Sequence, residues 1–397
     1  MWQGRRVVLG VTGGIAAYKC VLLARELTRN GARVDVVLSQ GAREFVGAVT
    51  FEAVTHRPVR SSLWERGGAL DHVTLGHDAD VIIVAPATAH LMARIAHGLA
   101  DDLLTSMLLA SSAPVVFAPA MNDAMFANPA TQANLAVLVA RGWQPVGPGV
   151  GALAEGPSER PGRMAEPDEI LACAARTLRG SGALSRRRVV VTAGPTRESI
   201  DPVRVITNRS SGRMGYRLAA AAWQRGADVV LITGPSSETG PIGVPLVRVD
   251  TAEQMTMAVR EHIAAADILI MAAAPADYRA AILGDTKRPR AEGGFALELI
   301  PTEDILLATM DVRPPDLTVV GFALETGDAI GKGRAKLQRK RLDMIVVNDA
   351  LEPGAGFEVD TNAVTVIDRR GGLREVSLRS KAEVAEAILD AIERYRE

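Results

Sequence analysis

The chain has 397 residues, of which 48% are hydrophobic, and its formal net charge at pH 7 is -1. This length predicts about two to three domains with sizeable cores. The near-neutral charge and the lack of a dense lysine or arginine block argue against a general nucleic-acid or anionic-membrane surface and favour small-molecule partners. Cys20 and Cys173 are too few for a disulfide framework or a four-cysteine zinc site, which is typical of a reducing cytoplasm.

The N-terminal segment has the pattern of a strand, a turn and a helix. Residues 5–10 begin like a signal peptide, but Gly13 and Gly14 interrupt the apolar run, so we predict a strand that turns into a helix. A second strand is predicted over residues 34–38 and is followed by Ser39. Because parallel strands end at one edge of a doubly wound sheet, these turns predict a site for a phosphorylated cofactor, although simple turn chemistry would use the same residues.

Two more strands are predicted in this half. Residues 79–89 form a buried strand that ends in a small-residue loop containing Thr88, and residues 114–118 form a strand that runs into Pro-Ala-Met-Asn at 119–122. The alternating segment 70–75 contains His72. A lone histidine is usually a surface or satisfied core residue, but His72 precedes the cofactor-like strand end and is therefore the best base candidate among the six histidines.

The second half repeats the plan of the first. We therefore predict two α/β domains in tandem, 1–187 and 188–397, with a Gly/Ser linker at 179–185. The repeat could come from duplication, or from the sequence pattern that all doubly wound sheets have in common, and both explanations remain open. The corresponding segments are 5–9 with 186–191, 30–37 with 225–232, and 79–86 with 266–275.

The centre of the second half also has the pattern of a binding turn. A strand at 189–193 is followed by a polar loop, residues 208–212, that opens a helix near Tyr216. The free N–H groups at such a helix start favour anions, and Asn208 and Arg204 add donors suited to carboxylate or phosphate. The alternative is a capped turn with solvated arginines.

Charged side chains follow later strands of this half. Asp277 could hold a divalent cation on phosphate oxygens, and Lys287 could bind phosphate. Lys336 and Lys340 are spaced i, i+4, so they share one helix face ahead of the strand at 344–348. Taken singly, each of these residues could equally belong to a solvated loop or helix face.

In this order the motifs resemble the bifunctional coenzyme A biosynthesis family, in which phosphopantothenoylcysteine decarboxylase is fused to phosphopantothenate-cysteine ligase. The resemblance covers nearly the whole chain and implies two tandem Rossmann-like domains, a flavodoxin-like flavoprotein decarboxylase domain followed by a doubly wound ligase domain. The decarboxylase-like segments are 13–19, 72, 85–89, 119–122 and 162–164, and the ligase-like segments are 192–194, 201–204, 208–212, 276–279 and 321–323.

The resemblance implies an FMN-dependent first half. The family's flavin takes two electrons from the cysteinyl C–S unit, so that a thioaldehyde can hold the carbanion left when carbon dioxide departs. His72 matches the catalytic base, because an imidazole can accept a proton at neutral pH, and Asn122 matches the residue that holds the substrate carboxylate. Arg163 and Met164 belong to the flap over the substrate. The residues expected to bind FMN are Gly13, Gly14, Ser39, Thr88 and Ala120.

One flap position departs from the family pattern. A cysteine a few residues before Gly-Arg-Met commonly donates the proton that completes reduction of the enethiol intermediate, and Glu155 stands in that place. A carboxylic acid can donate a proton when a closed site excludes water, so we expect Glu155 to take this role. The alternative is an exposed flap residue, with another group or water as the donor. His90 and Phe126 also stand where relatives often carry Asn and Trp.

The resemblance implies that the second half activates 4'-phosphopantothenate with CTP. The resulting acyl cytidylate releases pyrophosphate when it forms and is then attacked by the amine of cysteine. Asn208 matches the residue that carries the acyl cytidylate forward, and Arg204 is expected beside it as a partner of the substrate carboxylate or phosphate. Asp277 is also expected near Mg²⁺. The residues expected at the CTP site are Met271, Ala272, Ala273, Asp277, Lys287, Phe322, Lys336 and Lys340.

The family resemblance also implies a cytoplasmic homo-oligomer with trimeric flavin domains and dimeric ligase domains, acting on 4'-phosphopantothenate, cysteine and CTP. No nucleic-acid or membrane partner is expected. Two alternatives stay open. The flavin half could be an oxidative decarboxylase that releases an enethiol, or inactive, beside an active ligase. The whole chain could instead be a non-catalytic flavin-binding regulatory protein.

Overall fold

The computed structural model describes residues 1–64, 68, 70–180, 182–282, 284, 286–287, 296–349, 351–352, 354, 356 and 359–397. The chain forms two compact units, Met1–Arg179 and Gly180–Glu397. This division lies at the start of the linker expected at 179–185, whereas the expected boundary at 187/188 coincides with the start of a strand. The functional limits of the two domains stay a prediction.

The first unit is a parallel sheet between two helix layers. Its five-stranded sheet has the order β2-β1-β3-β4-β5, the flavodoxin-like order, with its switch point between β1 and β3. The strands are β1 Arg6–Val11, β2 Arg33–Leu38, β3 Val81–Ala87, β4 Val115–Pro119, β5 Gln144–Pro145 and an antiparallel pair, β6 Gly149–Val150 and β7 Pro161–Arg163. The helices are α1 Ala17–Arg29, α2 Ala48–Thr55, α3 Asp71–Asp78, α4 Ala89–Ala96, α5 Leu103–Ala110, α6 Asp123–Ala127, α7 Pro129–Ala140 and α8 Pro167–Arg179.

Burial on both faces explains the continuous apolar runs of these strands. All seven residues of β3 are buried, as expected for a parallel strand covered on both sides. Successive residues of β1 point to opposite layers: Val7 and Leu9 pack with α1 and α8, while Val8 packs with α4 and α5. The sheet therefore lies between two hydrophobic cores, one on each face.

The alternating segment 70–75 is helical and lies at the start of α3. Alternation over six residues did not decide the structure, because α3 buries Leu75 and Gly76 against α5. A side-chain carbon at Gly76 would lie 2.8 Å from the carbonyl oxygen of Met107, so glycine permits this close helix contact. His72 is consequently placed on a helix.

The second unit is a larger, mixed sheet. The main sheet has the order β12-β11-β8-β13-β16-β17-β18-β19, parallel from β12 to β17 and antiparallel from β17 to β19. The strands are β8 Arg188–Ala193, β9 Arg197–Ser199, β10 Val205–Thr207, β11 Asp228–Thr233, β12 Leu246–Arg248, β13 Ile268–Met271, β14 Tyr278–Ala280, β15 Leu299–Pro301, β16 Thr318–Glu325, β17 Met344–Asp349, β18 Thr361–Asp368 and β19 Leu373–Ser380. The helices are α9 Arg213–Gln224, α10 Ala252–Ile263, α11 Ile305–Ala308, α12 Ala329–Arg339 and α13 Lys381–Arg396.

The sequence repeat has a structural counterpart at the amino edge of each sheet. In the first unit, Asp80 accepts hydrogen bonds from the backbone N of Arg6 and the guanidinium of Arg5, both at 2.7 Å. In the second unit, Asp267 accepts them from the backbone N of Arg188 at 2.9 Å and the guanidinium of Arg187 at 3.0 Å. Each aspartate ties the start of the following strand to the start of its neighbour, which explains why Ala-Asp precedes both β3 and β13.

Helix α13 closes the second unit and carries a charged face. The guanidinium of Arg225, which is buried after α9, pairs with Glu386 at 2.5 Å, Asp390 at 2.6 Å and Glu393 at 2.7 Å. These carboxylates share one side of α13 because they recur at helical spacing. No helix within the described residues has the length and apolar character needed to cross a membrane.

Candidate active sites

A cavity of about 1210 Å³ opens at the carboxyl edge of the first sheet. Loops after β1, β2, β3 and β4 form its walls together with the β6–β7 hairpin. Ligands of doubly wound sheets bind at this edge, near the switch point. The volume exceeds the range of about 300–1,000 Å³ common for small-molecule sites, so there is room for a cofactor and a substrate. Its lining includes Gly13, Gly14, Ser39, Thr88 and Ala120.

The cradle at the cavity floor depends on glycine and hydroxyl groups. A side-chain carbon at Gly13 would lie 2.7 Å from the backbone of Gly41, so only glycine allows the loops after β1 and β2 to approach. The hydroxyl of Thr12 donates to the carbonyl oxygen of Pro86 at 2.5 Å and accepts from the backbone N of Thr88 at 3.3 Å. Ser39 also stabilises the turn after β2, because its Oγ accepts a hydrogen bond from the backbone N of Ala42 at 3.2 Å.

Two of the expected catalytic side chains meet in this cavity. Nδ2 of Asn122 donates a hydrogen bond to Oε1 of Glu155. Oδ1 of Asn122 accepts from the backbone N of Ala124 at 2.9 Å, which fixes the amide so that its donor faces the flap. Glu155 itself is exposed on the flap. The arrangement presents one oriented amide donor to a carboxylate inside the cavity.

A charged cluster at the base of the flap was missed by the sequence analysis. Nζ of Lys19 lies 2.8 Å from Oε1 of Glu166, and Nη2 of Arg163 lies 2.6 Å from the same oxygen. Lys19 is only 8% exposed and sits on the apolar face of α1. That position was the available signal, because a charge on a buried helix face requires a partner. Glu166 thereby connects the flap residue Arg163 to α1, and Met164 between them is buried.

Replacing Glu166 by glutamine should loosen this connection. The hydrogen bond from Lys19 lowers the pKa of Glu166 below its usual value of about 4.3, although partial burial opposes the shift. The carboxylate therefore stabilises the fold fully above about pH 4.3, and its contribution is lost as the pH falls through the lowered folded-state pKa. We expect Glu166→Gln to cost about 1 kcal/mol of unfolding free energy at neutral pH, a value that allows for the exposure of Glu166.

Thermal unfolding across pH 3 to 8 measures this difference. The matched control is Glu159→Gln, an exposed carboxylate in the same flap. Equal losses in both variants, or a difference that does not shrink in acid, would contradict the role of Glu166.

His72 lies away from this cavity. It sits in the first turn of α3 and is not among the described residues that line the cavity. Its Nδ1 is buried and has no hydrogen-bond partner among the described residues. The adjacent Asp71 pairs with Arg60 at 2.9 Å, beside the edge strand β2. One copy of the described chain therefore does not bring His72 to Asn122, whereas His90 does line the cavity.

In the second unit, helix α9 begins directly on the end of β8. Gly212 caps the helix with a φ of 83°, a left-handed conformation that favours glycine. A side-chain carbon at Gly215 would lie 2.5 Å from Cβ of Ala193, so glycine is also needed for the helix to reach the strand. The first N–H groups of α9 thus lie at the carboxyl edge of the sheet, where they favour an anion.

Asn208 is attached to the loop that follows β13. Its Nδ2 donates to the carbonyl oxygens of Ala274 at 3.1 Å and Pro275 at 2.9 Å. The neighbouring Ala273 donates its backbone N–H to Oγ1 of Thr192, at the end of β8, at 3.1 Å. These contacts bring Asn208 together with three residues expected at the CTP site. Those three are Met271, the last residue of β13, and Ala272 and Ala273, which follow it.

The lysines of α12 are paired with carboxylates. Lys336 lies 2.5 Å from Glu325 at the end of β16, and Lys340 lies 2.9 Å from Asp304, the cap of α11. The sequence analysis identified the lysines but missed both acidic partners. The first pair connects α12 to the carboxyl end of β16, and the second connects the C-cap of α12 to the start of α11, so neither ammonium group is free in solvent.

The remaining expected residues are more dispersed. Arg204 lies 3.4 Å from the buried carboxylate of Asp201, and Phe322 is half-buried in β16. Asp277 and Lys287 are exposed, and part of the segment around Lys287 falls outside the described residues. Among the side chains that the structure describes, no group of three or more His, Cys, Asp or Glu residues forms a metal site.

Comparison with known proteins gives full-length matches. Residues 1–179 match the Flavoprotein family model, and residues 184–395 match that of the DNA/pantothenate metabolism flavoprotein C-terminal domain. The coenzyme A biosynthesis bifunctional protein CoaBC of Vibrio vulnificus strain YJ016 is 42% identical over 394 residues, which cover 98% of each chain. CoaBC of Mycobacterium tuberculosis strain H37Rv is 44% identical over 403 residues, which cover 98% of this chain and 96% of that one.

A solved structure also matches part of the chain. The crystal structure of the C-terminal domain of CoaBC is 38% identical, covers 54% of this chain and 97% of its own, and has a TM-score of 0.46. The curated relatives are more than 40% identical to this chain over nearly the whole length of both chains. The chain therefore belongs to the family of coenzyme A biosynthesis bifunctional proteins CoaBC.

Proposed function

We propose that this enzyme converts 4'-phosphopantothenate into 4'-phosphopantetheine in two successive steps, ligation of cysteine and then decarboxylation. Membership of the CoaBC family makes the chain a bifunctional ligase and flavoprotein decarboxylase of coenzyme A biosynthesis. What we add is the assignment of residues to each step. The observation that carries it is the cavity of the first unit, which gathers the expected flavin residues around the Asn122–Glu155 contact.

The residues of that cavity fit FMN. Gly13, Gly14 and Ser39 would hold it with Thr88 and Ala120, because all five line this cavity and a glycine backbone carries no side chain to block a ligand. When bound, FMN supplies the two-electron oxidation that makes loss of carbon dioxide feasible. The chain's own residues would orient the substrate and move protons.

We assign to Asn122 the orientation of the substrate carboxylate. Its neutral amide can hold that group without stabilising the charge that must disappear in the reaction. The contact of its Nδ2 with Glu155 supports this role, since the donor already faces a carboxylate. Substrate binding would then exchange one carboxylate partner of Asn122 for another and release Glu155 toward the reacting carbon atoms.

Glu155 is proposed as the proton donor that completes the reduction. The side chain lines the cavity and contacts Asn122, which supports the role, and its exposure means that the substrate and the flap must enclose it first. We expect Glu155→Gln to slow formation of 4'-phosphopantetheine by about 10²–10⁴-fold, the range of general acid–base catalysis, and to release the enethiol instead. Mass spectrometry of the products measures both species.

Glu159→Gln is the control for this change, because it removes an exposed carboxylate of the same flap. Reductive decarboxylation at the parent rate in Glu155→Gln would end the donor hypothesis. Another group or water would then protonate the intermediate.

For the ligase step, we propose that CTP binds at the carboxyl edge of the second sheet. A carboxylate is a poor electrophile, so the enzyme must activate it and neutralise the departing pyrophosphate. The pairing of Lys336 with Glu325 at the end of β16 and the N-terminus of α9 support this site. Lys340, one helical turn after Lys336, would add a second ammonium group. Lys287 would add a further charge, Phe322 and residues 271–273 would contact the nucleotide, and Arg204 would bind the carboxylate or phosphate of the substrate. Asp277 would contact Mg²⁺ on the phosphate oxygens.

We also propose a cytoplasmic homo-oligomer, trimeric through the flavin domain and dimeric through the ligase domain. His72 lies on α3 and does not line the cavity of its own copy. This supports association of the first unit, because the proposed base would then serve the cavity of a neighbouring copy. Exposed apolar side chains on this unit, including Trp64 at 89% and Val49 at 71%, give a second reason.

The deciding experiment is mass spectrometry after incubation of the purified protein with 4'-phosphopantothenate, cysteine, CTP and magnesium. Formation of 4'-phosphopantetheine supports both assignments. Accumulation of 4'-phosphopantothenoylcysteine or its enethiol would favour an inactive or oxidative flavin half. Absence of CTP-dependent pyrophosphate release would overturn the ligase assignment and favour a regulatory binding protein.

A further inference from the structure

A second cleft, of about 670 Å³, lies at the amino edge of the sheet in the second unit. The proposed ligase site uses the carboxyl edge of this sheet, so the cleft occupies the opposite end. Its lining comes from the loops before β16, β17 and β13 and from the C-terminus of α13. Six arginines and three aspartates line it, a formal excess of three positive charges in a chain whose net charge is -1. They are Arg187, Arg313, Arg341, Arg369, Arg370, Arg396, Asp267, Asp316 and Asp343.

Two of the aspartates already have structural partners. Asp267 ties β13 to β8, as its counterpart Asp80 does in the first unit. Asp343 is buried and accepts hydrogen bonds from the backbone N of Val319 at 2.8 Å and from the hydroxyl of Tyr395 at 3.1 Å. Both carboxylates are already engaged in hydrogen bonds that hold the fold together. Their negative charges therefore offset the positive charges of the arginines in the cleft only in part.

Two arginines of the cleft, Arg313 and Arg396, make hydrogen bonds that support the fold. Arg313 donates to the carbonyl oxygens of Lys340 and Arg341, both at 3.2 Å, and so caps the end of α12. Arg396 donates to Thr318 at 2.6 Å. Burial lowers the pKa of Arg313, the carboxylates of Asp343 and Asp304 oppose this, and the charge of Arg341 lowers it further. The cleft thus brings like charges close together.

Arg341 has no such structural explanation. It follows the C-cap of α12 with a φ of 48°, a left-handed conformation that this position usually fills with glycine. A non-glycine residue there strains the backbone, and such strain is found at functional sites. Arg341 is exposed and lines the cleft.

The side chain of Arg370 is held in place by an aromatic ring, which does not neutralise its positive charge. Its guanidinium carbon lies 4.3 Å from the centroid of the Tyr395 ring, a cation–π contact that leaves the edge donors available. Arg369 nearby lies 3.1 Å from Asp343 and remains largely exposed. Three guanidinium groups thus border one opening, with donors suited to bidentate binding of phosphate oxygens.

We propose that this arginine cleft binds a phosphate-bearing anion with at least two adjacent phosphate groups. A chain of phosphates carries several negative charges within a few ångströms, which matches the excess positive charge and the several forked donors that line one cleft. The phosphates could belong to a free polyphosphate or to a nucleotide. Within the second unit, the cleft lies at the edge of the sheet opposite the proposed ligase site.

Isothermal titration of the full chain with inorganic triphosphate at low ionic strength tests the proposal. The proposed CTP site should bind this probe as well, so the parent should show two sites per chain. In Arg341→Ala/Arg370→Ala one site should weaken by about tenfold to a hundredfold, because charge-assisted contacts are lost. The control pair is Arg334→Ala/Arg394→Ala, two exposed arginines of the same unit outside the cleft, which should bind like the parent.

Identical isotherms for the parent and the cleft variant would overturn the proposal. Both double variants should retain ligase activity, so failure of the cleft and failure of the ligase assignment are distinguished. Titration with ADP and with inorganic diphosphate identifies the source of the phosphates. Tighter arginine-dependent binding of ADP assigns a nucleotide, and tighter binding of diphosphate assigns a free polyphosphate.

Arg341→Gly separates binding from structure. Glycine relieves the left-handed strain, so the melting temperature should rise by about 2 °C. Affinity for triphosphate at the cleft should fall in the same variant. A fall in melting temperature with unchanged affinity would show that Arg341 only supports the fold and would contradict its role in binding.

Discussion

Replacing His72 by glutamine is expected to lower the rate of decarboxylation by about 10²–10⁴-fold and to leave cysteine ligation unchanged. Glutamine keeps a polar side chain of similar reach but removes the imidazole that is proposed as the base. Carbon dioxide release from 4'-phosphopantothenoylcysteine measures the first activity, and pyrophosphate release measures the second. The matched control is His77→Gln, an exposed histidine on the same helix, α3, which should behave like the parent.

Hybrid oligomers test how His72 reaches its substrate. His72 does not line the cavity that contains Asn122, so we expect the proposed base and the amide proposed to hold the carboxylate to come from different copies. Co-expression of His72→Gln with Asn122→Ala should then restore part of the activity that neither variant has alone. Failure of every mixture to recover activity, with oligomers confirmed by light scattering, would contradict this arrangement.

Replacing Asn208 by aspartate is expected to reduce the amide yield of the ligase by about a hundredfold. Nδ2 of Asn208 donates to the carbonyl oxygens of Ala274 and Pro275. A carboxylate loses both hydrogen bonds and repels both carbonyls, and each lost contact in a partly buried site costs about 1–3 kcal/mol. The loop after β13 should shift, and the acyl cytidylate should no longer be held for attack by cysteine.

Pyrophosphate release by Asn208→Asp is the internal control, because the lysines of α12 are untouched. We expect release to continue while the amide fails to form, measured by phosphate assay and by mass spectrometry of the same sample. A normal amide yield would refute the role of Asn208. Loss of both signals would show that the residue supports nucleotide binding instead.

Much of the fold was readable from local patterns. The apolar runs before Gly13 and before Gly194 predicted β1 and β8, and both turns lie at the carboxyl edge of a parallel sheet. The repeated Ala-Asp pair has a structural role in both units. Asp80 and Asp267 each accept a hydrogen bond from the backbone N at the start of the neighbouring strand. Such features are local or recur along the chain, so the sequence carries them directly. The alternation around His72 did not decide between strand and helix, because six alternating residues fit a strand and a buried helix turn equally well.

Sequence alone determined the α/β class, the strand–turn–helix units that begin each half, the family resemblance and the types of residue available for chemistry, because these are read from motifs along the chain. The tertiary structure decided which of those residues meet. Lys19 and Glu166 are 147 positions apart, Asn122 and Glu155 are 33 apart, and His72 lies on a helix outside their cavity. Sheet order controls such meetings: β1 lies between β2 and β3, so residues far apart in the chain follow neighbouring strand ends. The charged pairs and the arginine cleft arise from that juxtaposition, which no local pattern encodes.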